Sequence, residues 1–127
     1  MLCKPDPVAT QATLTAERAL SIALRRFPNL CRTGILGRRF TGPPIDLDHV
    51  ETALSFLAQC RKSKVPNCHS FDLRRQIGGV SVGSVIAACV ALDFQVCSWS
   101  GVTDYMPHAL VNVDRDDVEL HSRIIAA

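Results

Sequence analysis

The sequence lacks the apolar runs and the leader pattern that would direct a protein into a membrane or out of the cell. No stretch approaches the roughly 18 consecutive apolar residues that a membrane-spanning helix needs. Near the N-terminus, Cys3-Lys4-Pro5-Asp6-Pro7 interrupts the apolar segment that a secretory signal requires. These absences predict a cytoplasmic protein without membrane contact, and they favour reduced thiols over disulfides at its six cysteines.

Aromatic residues and surplus charge are also scarce. Of 127 residues, 6% are aromatic and the net charge is +2, while 47% hydrophobic and 20% charged residues are ordinary values for one globular domain. The charge is unevenly distributed. Residues 1–92 carry 12 basic and 6 acidic side chains, a balance of +6, and residues 93–127 carry 2 and 6, a balance of −4. This asymmetry predicts a basic body with an acidic tail.

The first 44 residues divide into an amphipathic helix and a linker. Apolar residues from Ala16 to Phe27 follow the i, i+3, i+4, i+7 spacing of a helix face, with Thr13 as the expected N-cap and Pro28 as the expected end. The following segment to Pro44 is rich in Gly, Pro and Arg, which predicts a linker between residues 1–44 and a domain at 45–127. The helix packs on that domain, mediates self-association or is loosely attached. An organelle transit peptide is an alternative for the arginine-rich part.

Three further helices are predicted in the domain. Residues 48–62 have helical apolar spacing and a capping-box pattern, and a group of cations at the end would interact favourably with the helix dipole. Residues 70–77 form a short helix that ends at Gly78-Gly79, because glycine readily adopts the left-handed conformation. Residues 82–92, capped by Ser81, are apolar on nearly every side. Such a helix must be buried, so we expect it at the centre of the core.

The C-terminal part predicts strands and a tail. Residues 94–99 and 109–113 contain β-branched and aromatic residues on either side of a turn-rich segment, which predicts a β-hairpin. The acidic residues after Asp114 begin either a final helix or a frayed end. The predicted fold class is α+β and mostly helical.

The order of these elements resembles that of winged helix-turn-helix proteins. The letters Gly79-Val80-Ser81-Val82-Gly83-Ser84-Val85 are similar to the G-V-S-x-x-[ST]-V run that opens the recognition helix in many of them. The resemblance covers residues 48–113 and implies a three-helix core with a β-hairpin wing, preceded here by an additional helix. Residues 81–112 also resemble small uncharacterised proteins of bacterial mobile elements, which implies no activity.

Nucleic-acid binding is the function that this resemblance implies. The recognition helix of the family reads base edges through Arg, Asn, Gln or Lys, whereas residues 82–92 offer little beyond serine. We therefore predict a small non-enzymatic regulatory module that binds nucleic acid largely through phosphate contacts. The predicted contact residues are Arg61, Lys62, Lys64, Arg74, Arg75, Ser81 and Ser84.

A protein-binding module on the same scaffold is the alternative function. It would act as an adaptor, an anti-activator or an inhibitor, and a homodimer is one form that it could take. The predicted partner contacts are Trp99 near the hairpin tip and Tyr105 and Met106 in its loop, because exposed aromatic and methionine side chains are suitable anchors.

A nucleophile pattern is present in an unsuitable context. Residues 79–83 match the G-x-S-x-G motif around Ser81, and Asp104 and His108 follow in the order of a catalytic triad. The motif requires a strand before the serine, whereas residues 70–77 predict a helix. We therefore expect no enzymatic activity.

A metal site has a similarly weak pattern. Cys60, Cys68 and His69 lie close in the sequence, and Cys97 or His108 could supply a fourth ligand. Structural zinc sites generally use pairs of ligands two to four residues apart, and a second pair is missing here. We therefore expect neither a metal nor another cofactor.

Overall fold

The fold is α+β, as predicted. The computed structural model describes residues 14–36, 42–98 and 108–126, about half of them helical, with two small antiparallel sheets. The elements are, in chain order, α1 (Ala16–Arg26), β1 (Leu30–Cys31), β2 (Gly34–Ile35), α2 (Leu47–Leu57), β3 (Cys68–His69), α3 (Ser70–Ile77), α4 (Val82–Ala91), β4 (Val96–Ser98), β5 (Ala109–Val111) and α5 (Arg115–Ala126).

Helix α4 is the centre of the core, which confirms the expectation from its composition. Every residue from Val82 to Cys89 is buried. The predicted cap is also confirmed, because the Ser81 hydroxyl accepts a hydrogen bond from the Ser84 amide at 3.2 Å. The Ser84 hydroxyl in turn donates to the Ser81 carbonyl oxygen at 2.6 Å. The single polar side chain of this helix is therefore satisfied without leaving the core.

Helix α1 packs directly against α4, which selects one of the three arrangements that the sequence left open. Its N-cap is Thr15 rather than Thr13, and its last turn precedes Pro28 as predicted. Ala19 and Ala23 face the core and are fully buried. At the end of the helix, the Arg26 guanidinium donates to the Val96 carbonyl oxygen at 3.0 Å. This helix therefore covers a face of α4 that would otherwise meet solvent.

A small hairpin replaces part of the predicted linker. Strands β1 and β2 pair antiparallel, with Leu30 opposite Ile35, and both of these side chains are buried. The Arg32 carbonyl oxygen in the turn accepts a hydrogen bond from the Gly83 amide at 3.0 Å. A Cβ atom on Gly83 would overlap the Cys31 carbonyl oxygen, so glycine allows the hairpin to reach the start of α4.

Helix α2 has different ends from those predicted. It begins at Leu47 with Asp46 as its cap, whose carboxylate accepts from the Asp48 amide at 2.9 Å. It ends at Leu57 rather than at residue 62. Arg61, Lys62 and Lys64 therefore lie beyond the last turn, and the predicted interaction of these cations with the helix dipole is wrong.

The second sheet contains the predicted hairpin and one additional strand. Strand β4 pairs with β5, with Cys97 opposite Leu110, and the two-residue strand β3 pairs with the other side of β5. The sheet order is β3-β5-β4. A strand of two residues has no measurable periodicity, so β3 could not be recognised from the sequence.

The acidic tail forms a final helix, which was one of the two predicted alternatives. Asp114 caps α5, since its carboxylate accepts from the Asp116 and Asp117 amides at 2.9 and 3.1 Å. Val118 is the buried anchor of this helix. Across the described ranges, no helix combines the length and the apolarity that crossing a membrane would require.

Candidate anion-binding cleft

The predicted basic cluster is divided in the structure. Arg61 makes a two-pronged contact with Asp117, from Nε to Oδ2 at 3.0 Å and from Nη2 to Oδ1 at 3.1 Å, and its amide also donates to Oδ2 at 2.8 Å. These hydrogen bonds lower the pKa of Asp117 and raise that of Arg61. The guanidinium of Arg61 is therefore already neutralised within the chain.

The other predicted cations are exposed and lie in different settings. Lys62 Nζ lies 5.8 Å from the centre of the Phe94 ring, and Lys64 is exposed in the loop after α2. On α3, the Arg74 guanidinium carbon lies 5.7 Å from the centre of the Phe71 ring. No described carboxylate is within ion-pair distance of these three side chains. Their charges remain available to an external anion.

The two predicted serine contacts are withdrawn from the surface. Ser84 is fully buried and Ser81 nearly so, because both hydroxyls serve the start of α4. A ligand on the surface could reach neither hydroxyl without opening the core. We therefore leave these two residues out of the site.

Arg75, the remaining predicted cation, lines a cleft between α3 and α5. The cleft has a volume of about 600 Å³. Its polar walls include Asp72, Arg75 and Gln76 from α3, and Arg115, Ser122 and Arg123 from α5. At about 100° per residue, Arg115 lies about 160° around α5 from Asp117. The cleft and the Arg61–Asp117 pair are therefore on opposite sides of α5.

The cations of the cleft differ in how they are partnered. Arg123 Nη2 lies 2.6 Å from Glu119 Oε1, one turn earlier on α5. Arg115 Nη2 donates to the Asn67 carbonyl oxygen at 2.6 Å, which fixes the side chain without neutralising it. Among the residues that the structure describes, Arg75 and Arg115 have no carboxylate within 4.0 Å. Among these residues, the cleft thus presents two guanidinium groups without an ion-pair partner, beside the carboxylate of Asp72, which also has none.

A buried thiol lies between the two helices at the cleft. Cys68 lines the cleft and is buried at the start of β3. Burial raises the pKa of Cys68, and the nearby Arg115 offsets only part of this effect. Burial also raises the pKa of Cys60 to about 11. Both thiols are therefore neutral at physiological pH and add no negative charge to this region.

The candidate metal ligands do not form a site within the described residues. The described residues contain no group of three or more His, Cys, Asp or Glu side chains arranged to hold a metal ion. His69 instead caps α3, because its Nδ1 accepts from the Phe71 amide at 3.2 Å. The centre of the His108 ring lies 5.1 Å from that of His69. The pKa of His108 is lowered, mainly by burial and to a smaller extent by the charge of His69.

The nucleophile pattern has the wrong local structure for an elbow. Ser81 follows helix α3 and a turn in which Gly78 and Gly79 have φ values of 80° and 68°. It is the N-cap of α4, and no strand leads into it in residues 70–81. The second member of the pattern, Asp104, lies outside the described residues.

Sequence reasoning missed Arg115 and Arg123 as members of the site. The only signal in the sequence that placed these residues on a helix was the spacing of the tail, in which apolar residues one turn apart are separated by charged residues. The predicted partner contacts Trp99, Tyr105 and Met106 lie outside the described residues.

In comparisons with protein-family models, curated proteins and solved structures, the chain matches none.

Proposed function

We propose that this chain is a small non-enzymatic nucleic-acid-binding module that contacts phosphates and does not read bases. The observation that carries the proposal is the pair of cations at the α3–α5 cleft, Arg75 and Arg115, which lack counter-charges among the described residues. Arg74 and Lys64 add exposed positive charge nearby in the sequence. Arginine pairs with phosphate in a two-pronged geometry, so these side chains suit the backbone of a nucleic acid.

The order of elements from α2 to β5 supports a scaffold of the winged-helix type. A helix, a second helix, a glycine turn, a third helix and a hairpin follow one another, as in the family that the sequence resembles. In that arrangement α4 occupies the position of the recognition helix. Helix α1 and the β1–β2 hairpin are the additions that distinguish this chain.

The environment of α4 explains why phosphate contacts would replace base readout. A recognition helix needs exposed donors and acceptors in the major groove. Here α1 packs on α4, and every side chain from Val82 to Cys89 is buried. Binding would therefore be weakly dependent on sequence and strongly dependent on salt.

A titration of labelled DNA at several salt concentrations tests the proposal. We expect fluorescence anisotropy to show binding at low salt. The slope of the logarithm of the affinity against the logarithm of the salt concentration should decrease in magnitude by about 1 for each phosphate-contacting arginine that is removed. Arg75→Gln and Arg74→Gln should each reduce the slope. The matched control is Arg18→Gln, because Arg18 is also exposed but lies on α1. Absence of retention of single-stranded and duplex DNA at low salt would contradict the proposal.

A protein-binding module is the second candidate, and the outer face of α5 favours it. Leu120 and Ile124, one turn apart, are 54% and 62% exposed. Large apolar side chains with this exposure are common in protein interfaces. The outcome that favours this candidate is the absence of DNA binding together with a change in the sedimentation of the chain on Leu120→Glu. The chain would then function through self-association by the outer face of α5 and not through nucleic-acid binding.

A further inference from the structure

We infer that the α3–α5 cleft binds a terminal phosphate group, carried either by the end of a nucleic-acid strand or by a free mononucleotide. The inference rests on the proposed function for its choice of phosphate over other anions. It goes further because it predicts that the cleft prefers the monoester at the end of a strand to the phosphates along it.

The positions of the two unpaired cations lead to this inference. Arg75 projects from α3 and Arg115 from α5, and both line the same cleft of about 600 Å³. That volume lies in the range of small-molecule sites, roughly 300–1,000 Å³. A group held between the two walls would receive hydrogen bonds from two guanidinium groups on separate helices. Ser122 and Gln76 provide neutral donors in the same walls.

The side chains on the α5 wall are held in place before a ligand binds. Arg115 uses Nη2 to bind the Asn67 carbonyl oxygen at 2.6 Å and also interacts with the Cys68 thiol, but a guanidinium has five N–H donors, so it keeps donors for an anion. Arg123 is held by Glu119 at 2.6 Å. An arginine that is fixed in this way loses less conformational entropy when it binds an anion.

A terminal phosphate fits the cleft better than a phosphate within a strand. A monoester carries about −1.5 to −2 charges and three strong acceptor oxygens. A phosphate within a strand has one negative charge and two unesterified oxygens, and the cleft would have to accommodate the sugars on both sides of it. A monoester can therefore accept hydrogen bonds from both Arg75 and Arg115, and only its one sugar has to extend out of the cleft.

Asp72 is the one carboxylate of the cleft without a cation within 4.0 Å in the described ranges. It lies one helical turn before Arg75 and Gln76 and weakens the positive field that an anion would meet. This arrangement gives opposite expectations for two neighbouring substitutions. Removing the Arg75 charge should weaken phosphate binding, and removing the Asp72 charge should strengthen it.

Two pairs of probes test the inference on the full chain. Isothermal titration compares adenosine 5′-monophosphate with adenosine, and anisotropy compares a single strand of about twelve nucleotides with a 5′-phosphate and the same strand with a 5′-hydroxyl. We expect the phosphorylated member of at least one pair to bind about tenfold more tightly. Preference in the first pair alone identifies a free mononucleotide, and preference in the second identifies a strand end. Equal binding within both pairs overturns the inference.

Variants then assign the preference to the cleft. Arg75→Gln should remove about tenfold in affinity for the phosphorylated probe, Asp72→Asn should increase the affinity severalfold, and Arg18→Gln should leave it unchanged. Thermal melting of each variant checks the fold, and all three positions are exposed. A phosphate preference that survives Arg75→Gln and is insensitive to Asp72→Asn overturns the assignment to this cleft.

The two proposals fail in different ways. If DNA binds with the expected salt dependence but the terminal phosphate has no effect, the inference fails and the proposed function stands. If the mononucleotide binds through Arg75 and Asp72 responds as expected but no DNA is retained, the proposed function fails and the cleft remains a phosphate site.

Discussion

Helices α4 and α5 have similar lengths, 10 and 12 residues, and opposite surroundings. Helix α4 is apolar except for Ser84, and residues 82–89 are all buried. In α5 large apolar residues are interspersed with charges, and of these only Val118 is buried, whereas Leu120, Ile124 and Ile125 are exposed. The position of α4 follows from burial of apolar surface, while the position of α5 depends on particular polar contacts.

This difference teaches how far hydrophobic content specifies a position. A helix without a polar face has one stable place, the interior. Helix α5 is held by its Asp114 cap, by the Arg61–Asp117 pair and by the contact of His121 Nε2 with the Gln59 carbonyl oxygen at 3.2 Å. Each of these polar contacts depends on a residue distant in the sequence or on a turn whose geometry the hydrophobic pattern does not contain.

The largest expected effect on stability comes from an isoleucine-to-alanine substitution, made once in α4 and once in α5. Ile86→Ala should lower the free energy of unfolding by about 4 kcal/mol, because Ile86 is fully buried and its truncation leaves a cavity. Ile124→Ala should change it by less than about 0.5 kcal/mol, since most of that side chain is exposed. Urea denaturation followed by circular dichroism measures both. Similar losses in the two variants would mean that α5 is buried against something in solution.

A smaller effect is expected at the caps. Ser81→Ala should cost about 1 kcal/mol, because the Ser84 amide loses its acceptor. Since α4 is the centre of the core, this loss should reduce hydrogen-exchange protection throughout the chain. Asp114→Ala removes the cap of α5 and should accelerate exchange in that helix alone. Global acceleration after Asp114→Ala would contradict the contrast between the two helices.

The smallest effect is expected from the pH dependence of the α5 contact. Arg61 lowers the pKa of Asp117 below its ordinary value of 3.8. A carboxylate whose pKa is depressed in the folded state stabilises the protein above its unfolded pKa, and this contribution disappears as the pH falls through the folded pKa. Asp117→Asn should therefore be less stable than the wild type at neutral pH, and the difference should shrink as the pH falls through the depressed pKa of Asp117.

Denaturation midpoints at several pH values measure this contribution. Asp116→Asn is the matched control, because Asp116 also lies in the first turn of α5 but forms no ion pair within the described part of the chain. If both variants respond to acid like the wild type, the Arg61–Asp117 pair contributes nothing to the attachment of α5.

The elements that could be predicted are those with strong local signals. Helix α4 with its Ser81 cap, helix α3 with its glycine turn and the pairing of β4 with β5 are all confirmed. Strands β1, β2 and β3 were missed, because each has two residues and exists only through pairing. The end of α2 was predicted too late, since the cations after it resembled a favourable last turn.

The candidate site was only partly accessible from the sequence. Arg75 was predicted as an anion contact, and it does line the cleft. Arg115 was not, because it lies 40 residues further along the chain and reaches the cleft through the packing of α5 on α3. Arg61 shows the opposite case, in which a basic side chain is already neutralised by a distant carboxylate.

The contact between Gly83 and the hairpin turn has a consequence for how the molecule is assembled. The first amides of a helix have no acceptors within it, and the carbonyl of Arg32 supplies one for α4. The start of the buried helix α4 is thus completed by the backbone of Arg32, which lies 51 residues before Gly83 in the sequence. A fragment that began after the hairpin would leave the Gly83 amide without its acceptor and would expose one side of α4, so the inward faces of α1 and the hairpin belong to the same core as the helix that they cover.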